Sequence, residues 1–472
     1  MSSSSKARER IDALLDENSF VEVGAAVTAR ATSFNLTPAQ TPSDGVVTGY
    51  GTVNGNLVFV YSQDAAVLGG SIGEMHAKKI TGLYELAIKT GAPIVGLLDS
   101  TGIRLQEATD ALNAFGTIYA EQAKASGVIP QITGIFGTCG GGLALVAGMS
   151  DFAFMADGAK LFVNSPNALP GNAEDKDDTA ASGAKAANGN VDAAGTEDEV
   201  LAKIRDCIDL LPSNNEDEAV TECSDDLNRA SDSFEAGEKD PSVSVADLAD
   251  DSVFFETKKD FAPEMATGFI RLNGATVGVV ANRAASFDEK GEVKASYDTV
   301  LTTKGLTKAA RFVKFCDAFE LPVLTVTNVT GFAASKDEES TIAQAAASFV
   351  AALSETTSPK VNIILNAIGS AYAVMNSKAI GADITIALPD AKIGVIDARH
   401  AADILAAGKS ADEKAAVEKE YDTLQNASAS AAARGYVDEI ADPADLRKYV
   451  IGAFEMLYTK REEVLSKKHG TV

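Results

Sequence analysis

The feature that most constrains this chain is a pattern written twice. Gly91-Ala92-Pro93 leads into the apolar run Ile94-Val95-Gly96-Leu97-Leu98 and then Asp99-Ser100-Thr101-Gly102. Glu320-Leu321-Pro322 leads into Val323-Leu324-Thr325-Val326-Thr327 and then Asn328-Val329-Thr330-Gly331. Pro93 and Pro322 are 229 positions apart, as are Gly102 and Gly331, Pro130 and Pro359, and Gly140 and Gly369. Further on, Ala159-Lys160 answers Ala391-Lys392 at 232, as if the second copy carried three more residues. Four coincidences at one offset, with matched flanks, indicate duplicated domains. Each copy reads as strand, loop, helix, strand, glycine turn, helix, strand, with helices predicted over 106–125 and 338–353. The short apolar runs suit strands buried on both faces, and the alternation indicates α/β layering. A chain of 472 residues is too long for one ordinary core and suits two.

The copies are separated by a different composition. Residues 171–200 are rich in Ala, Gly, Asp and Asn with little periodicity and read as a mobile surface loop or lid. Leu201 to Leu211 regains helical spacing, Pro212-Ser213-Asn214-Asn215 ends it, and an acidic, Ser-rich connector runs to about Asp240. This places the domain boundary near residue 235, giving domains over 1–235 and 236–472. Residues 6–15 form a short charged helix with Ile11, Leu14 and Leu15 on one side. Residues 125–150 carry no charge, but Pro130 and Gly140-Gly141-Gly142 break any continuous helix, so a buried strand, a turn and a helix replace a membrane span.

A formal charge of −26 argues against binding nucleic acid or an anionic membrane. The four cysteines form no C-x-x-C pair, and three histidines (His76, His400, His469) cannot build a multi-histidine metal site; no metal is expected. Scattered cysteines and a start without a signal-peptide core point to the cytoplasm.

Several catalytic templates fail. Gly408-Lys409-Ser410 lacks the glycine a phosphate loop needs at 403, which is Asp403, and no G-x-G-x-x-G follows a strand. Gly148-Met149-Ser150-Asp151-Phe152 is no nucleophile elbow, although a triad assembled from distant positions stays open. What stands out are two strand-to-helix turns, Thr138-Cys139-Gly140-Gly141-Gly142 and Ala367-Ile368-Gly369-Ser370-Ala371. Small residues let a ligand approach the backbone, and the first helical turn leaves N–H groups without intrahelical partners. Such a turn is an anion site, suited to a carbonyl becoming an enolate; close helix–strand packing is the other reading. Arg104 with Lys78 and Lys79 is a candidate phosphate cluster, His76 a loop-orienting residue, and Cys139 a small packing residue.

At these residues the chain resembles the carboxyltransferase subunits of biotin-dependent acyl-CoA carboxylases and decarboxylases. The resemblance runs through Lys6 to Asp12, Gly69 to Ile80, Asp99 to Glu107, the Cys139 turn, Leu211 to Asn215 and Ala309 to Asp317. It implies two tandem crotonase-like domains of the ClpP/crotonase superfamily. It also implies carboxyl transfer between biotin and the α-carbon of a short acyl-CoA such as propionyl-CoA with methylmalonyl-CoA, or acetyl-CoA with malonyl-CoA. By the same resemblance, Gly141 and Gly142 N–H groups hold the thioester oxygen, and Ser370 and Ala371 hold the ureido oxygen of biotin. Gly102, Ile103, Arg104 and Gly140 then line the acyl-CoA side, while Gly331, Phe332, Gly369 and Tyr372 line the biotin side. The half-sites would meet across a subunit interface of a homo-oligomer, a dimer or a trimer of dimers. No methionine precedes a lysine, so the Met-Lys-Met carrier motif is absent and biotin arrives on a separate carrier protein. Departures from the family pattern, Gly369-Ser370 for two glycines, Thr330, Ala334-Ser335, Ala343-Gln344-Ala345 and His400, all fall on the biotin half. A glutaconyl-CoA-type decarboxylase and a non-catalytic scaffold of the same fold are the alternatives.

Overall fold

The computed structural model describes residues 5–31, 41–172, 176–288, 290–467 and 470–472, so Met1 to Ser4 and His469 lie outside the described residues. The chain divides into two compact units, Met1–Ala219 and Val220–Val472.

In the first unit, Pro93 and Pro130 start strands whose every residue is buried. These are β4 (Ile94–Leu98) and β5 (Gln131–Ile135). They belong to a seven-stranded sheet with β1 (Val21–Glu22), β2 (Val46–Val53), β3 (Asn56–Gln63), β7 (Phe152–Ala156) and β9 (Ala193–Gly195), in the order β1-β2-β3-β4-β5-β7-β9. The first three strands are antiparallel and the rest parallel. A small parallel pair, β6 (Thr138–Gly140) and β8 (Lys160–Phe162), stands apart. The helices are α1 (Lys6–Leu14), α2 (Glu74–Thr90), α3 (Thr109–Ala125), α4 (Gly142–Met149), α5 (Ser182–Ala187) and α6 (Glu197–Leu210). Helix α2 ends on Gly91 in the left-handed conformation (φ 62°), with Pro93 two residues on, and a Thr196–Glu199 capping box starts α6.

The second unit repeats the plan. Strands β10 (Phe255–Thr257), β11 (Met265–Leu272) and β12 (Ala275–Asn282) are antiparallel; β16 (Val323–Val329), β18 (Lys360–Ile368), β19 (Ile384–Gly394) and β20 (Glu439–Ile440) continue the sheet in parallel. Two small pairs flank it, β13 (Ala285–Phe287) with β14 (Val293–Ser296) and β15 (Val300–Leu301) with β17 (Gly331–Phe332). The helices are α7 (Phe234–Gly237), α8 (Pro241–Leu248), α9 (Thr303–Ala318), α10 (Lys336–Glu339), α11 (Ile342–Glu355), α12 (Ala371–Val374), α13 (Ala398–Leu405), α14 (Ala411–Tyr421), α15 (Ser428–Ala433) and α16 (Leu446–Leu457). The copies agree in register. Ile94 faces Gln131 in the first, and Val323 faces Lys360 in the second. In the next pair Ile132 faces Phe152 and Val361 faces Ile384, so the offset grows from 229 to 232 within the connection that follows the second turn.

Some expectations change. The stretch 171–200 is not a loop throughout: α5, β9 and the start of α6 lie in it, β9 pairs with β7, and Ala180 and Val191 are buried. Its Ala-rich composition packs without a long periodic pattern; residues 173–175 lie outside the described residues. The first predicted helix starts at Thr109, after a tight 3₁₀ turn over Leu105–Glu107. The second is broken near Ser340 into α10 and α11.

Candidate functional site

In the first unit, Gly141 turns the chain from β6 into α4 with φ 63° and ψ −125°. Its own N–H donates to Phe162 O at 2.9 Å and completes the β6–β8 ladder. The expectation that Gly141 offers this N–H to a ligand is therefore corrected. The first residues of α4, Gly142 and Leu143, are the ones whose amides lack an intrahelical acceptor. A Cβ on Gly142 would lie 2.6 Å from Tyr119 Oη and 2.8 Å from Phe115 Cδ1, so only glycine fits there. Gly102 (φ 100°) approaches the same turn, where a Cβ would lie 3.3 Å from Gly140 O.

The loop carrying Gly102 and the part-exposed Ile103 is zipped to residues 69–72. Thr101 N–H donates to Gly69 O (2.9 Å), Ile72 N–H to Gly102 O (2.8 Å) and Arg104 N–H to Ile72 O (2.9 Å). Arg104 is fully buried, bonded to Asp44 Oδ1 (2.6 Å), Glu107 Oε1 (3.0 Å) and Ser71 O (2.6 Å). Its reading as a phosphate ligand is corrected: the guanidinium fastens the loop from inside. Lys79 is buried likewise, on Ser43 O (3.0 Å) and Val46 O, while Lys78 is exposed. At the base of this cluster Ser43 and Asp44 hold left-handed φ of 54° and 46°, which strains residues with side chains. His76 is fully buried, with Nδ1–H donating to Asp44 O (2.9 Å) and Nε2 accepting from Gln63 Nε2 (3.2 Å). Burial pushes its pKa down to about 3, so the ring is neutral and structural. Burial likewise raises the Cys139 thiol to about 12, leaving a packing residue.

The second unit builds the matching turn. Gly369 has φ 74°, and its N–H donates to Gly394 O at 2.8 Å, as Gly141 does to Phe162. Ser370 and Ala371 follow, and no backbone acceptor among the described residues takes their amides. Ser370 is exposed, Ala371 buried and Tyr372 part-buried against the core. Around Gly369 there is room, since a methyl group placed there would have Val395 O as its nearest neighbour, at 3.8 Å. The short strand β17, holding Gly331 and Phe332, packs beside α12. His400 is exposed and contacts Asp397, which caps α13. The hydrogen-bond register pairs Gly141 with Gly369, 228 positions apart, in place of the 229 that the sequence offset gives to Gly140 and Gly369, and therefore Gly142 and Leu143 with Ser370 and Ala371. Sequence reasoning missed Leu143 and Tyr119; the i, i+4 spacing of Phe115 and Tyr119 on one face of α3 was the available signal.

Two like mixed sheets, each with a strand-to-helix turn whose first amides find no backbone acceptor among the described residues, define a duplicated α/β protein. The family model of the carboxyl transferase domain matches residues 3–472. The chain is 38% identical over 484 residues to a propionyl-CoA carboxylase beta chain of Roseobacter denitrificans, covering 99% of this chain and 93% of the relative. It is 37% identical to methylmalonyl-CoA decarboxylase subunit alpha of Veillonella parvula, covering 99% and 92%. A crystal structure of transcarboxylase 12S, a hexamer with hydrolysed methylmalonyl-CoA bound, matches with a TM-score of 0.91 at 35% identity, over 98% of this chain and 92% of that one. The chain belongs to the biotin-dependent acyl-CoA carboxyltransferase family, whose two domains are crotonase-like, and it is an enzyme subunit of that kind. Among the described residues no helix is long and apolar enough to cross a membrane, and no three His, Cys, Asp or Glu groups stand together to hold a metal.

Proposed function

We propose that this chain moves a carboxyl group between a biotin carried on a separate protein and the α-carbon of a short acyl-CoA, propionyl-CoA with methylmalonyl-CoA being the leading pair. Residues 1–235 form the acyl-CoA domain and 236–472 the biotin domain. On the acyl side, Gly142 and Leu143 N–H groups hold the thioester oxygen as negative charge develops, Gly140, Gly102 and Ile103 line the cleft, and Arg104 sets the loop that carries them. Each well-placed donor is worth about 3 kcal/mol in such a transition state. Biotin, when bound, supplies the carrier of the carboxyl group and also the base, its ureido nitrogen taking the α-proton once the carboxyl group has left it. The free amides of Ser370 and Ala371 and the open space at Gly369 fit its ureido oxygen, with Gly331, Phe332 and Tyr372 alongside. The work of this chain therefore divides into positioning and fixed dipoles. The half-sites meet between protomers, so a dimer is the smallest active unit, working in the cytoplasm.

The observation that carries this reading is the same unpaired-amide turn at equivalent places in both units. The test is incubation of the purified protein with methylmalonyl-CoA and free biotin, following biotin-dependent formation of propionyl-CoA. A folded protein that binds a biotin carrier protein but never turns over a thioester would reduce it to a scaffold.

A further inference from the structure

Helix α3 lies against the first-unit turn and reaches two carbonyls one helical turn apart on α4. Tyr119 Oη donates to Gly142 O at 2.9 Å, and Gln122 Nε2 donates to Val146 O at 3.0 Å. The Gly142 carbonyl and the Leu143 amide are two ends of one peptide group. A donor on that oxygen draws electron density toward it and makes the N–H at the other end a stronger donor, as in any hydrogen-bonded chain. Tyr119 thus acts, through one amide plane, on an N–H that has no acceptor among the described residues.

The ring is built into place. The rings of Tyr119 and Phe115 lie tilted at 38° with centroids 6.0 Å apart, and together they wall the inner side of Gly142, where a methyl group would collide with both. The phenol is half-buried, and desolvation lifts its pKa above the ordinary value, so it stays protonated at neutral pH. At an offset of 229 the second copy has Ser348 in α11, which carries no phenol.

We infer that Tyr119 is a positioning residue of the acyl-CoA half-site, holding and polarising the Gly142–Leu143 peptide so that Leu143 N–H binds the thioester oxygen more strongly as charge grows on it. The inference rests on the proposed role of that turn.

The experiment compares wild type, Tyr119→Phe and a series of fluorotyrosines at 119 in the full-length protein. Three quantities are read: kcat and KM for methylmalonyl-CoA turnover, and the infrared carbonyl stretch of bound carbonyl-¹³C propionyl-CoA. Loss of one neutral hydrogen bond predicts a fall in kcat of about threefold to tenfold in Tyr119→Phe, with KM within about twofold. The bound stretch moves back toward its free position. The fluorotyrosines keep size and packing, and kcat rises with phenol acidity while the phenol remains protonated. A flat fluorotyrosine series with an unchanged stretch in Tyr119→Phe overturns this inference alone. Absence of any shift of the stretch on binding to wild type overturns the reading of the turn, and this inference with it.

Discussion

Lys79 and Lys308 are 229 positions apart and do the same thing in their own units. Lys79 Nζ donates to Ser43 O and Val46 O, and Lys308 Nζ donates to Lys258 O and Phe261 O. Burial lowers both to about 8. Between that value and the 10.5 of an exposed lysine, the unfolded chain binds more protons than the folded one, so each lysine makes stability rise with pH. The rise is at most about 1.4 kcal/mol per pH unit per lysine, and below pH 8 the contribution is flat. Urea unfolding at successive pH values from 8 to 10 gives a shallower slope in Lys79→Met than in wild type. Equal slopes would mean that the ammonium is solvated.

His76 acts at the other end of the scale. Its folded pKa of about 3 lies below the ordinary 6.5, so the unfolded chain takes up the proton first as pH falls. Stability from this group is fully present above 6.5 and drops by about 1.4 kcal/mol per unit through the window down to 3. His76→Gln keeps a polar group beside Gln63 and Asp44 without the titration. Calorimetric Tm between pH 4.5 and 7 therefore falls less steeply in the variant.

Removing Arg104 leaves Asp44 and Glu107 buried without their cation. Arg104→Met is expected to lose about 3–5 kcal/mol of stability, seen as a lower denaturant midpoint, and adding Asp44→Asn recovers part of it. A variant with the wild-type midpoint and a specific, salt-sensitive loss of CoA affinity would restore the phosphate-ligand reading instead.

Ser370 has φ −66°, a value proline adopts, so Ser370→Pro deletes one amide with little change of local backbone angle. Carrier-dependent carboxyl exchange should fall by about 10²–10³ while binding of acyl-CoA is retained, because donors of this kind act on the transition state. Ser370→Gly keeps the amide and most of the rate. Full activity in the proline variant would remove the second turn from the biotin half-site.

Duplication, layer order and both turns were legible because they depend on local signals: prolines before apolar runs, glycines after them, and one repeated offset. What escaped was set by partners far away in the chain. Arg104 looks like a solvated cation until Asp44 and Ser71 close around it, and Gly141 looks like a free donor until β8 brings Phe162 O to it. The Ala-rich segment around α5 has too little contrast between its faces for periodicity to reveal a helix. The left-handed Glu320 (φ 53°) takes the place of Gly91 (φ 62°), a substitution that propensity alone argues against.

The amides of Gly142 and Leu143, which have no backbone acceptor among the described residues, carry one practical consequence. The lone pair of a main-chain amide nitrogen is delocalised into the carbonyl, which makes it far less reactive than a thiol or amine side chain, and the nearby Cys139 is sealed from solvent. Reagents directed at side chains will not silence this surface selectively. On the proposed role of this turn, a selective inhibitor imitates the shape of a polarised carbonyl seated between two N–H bonds.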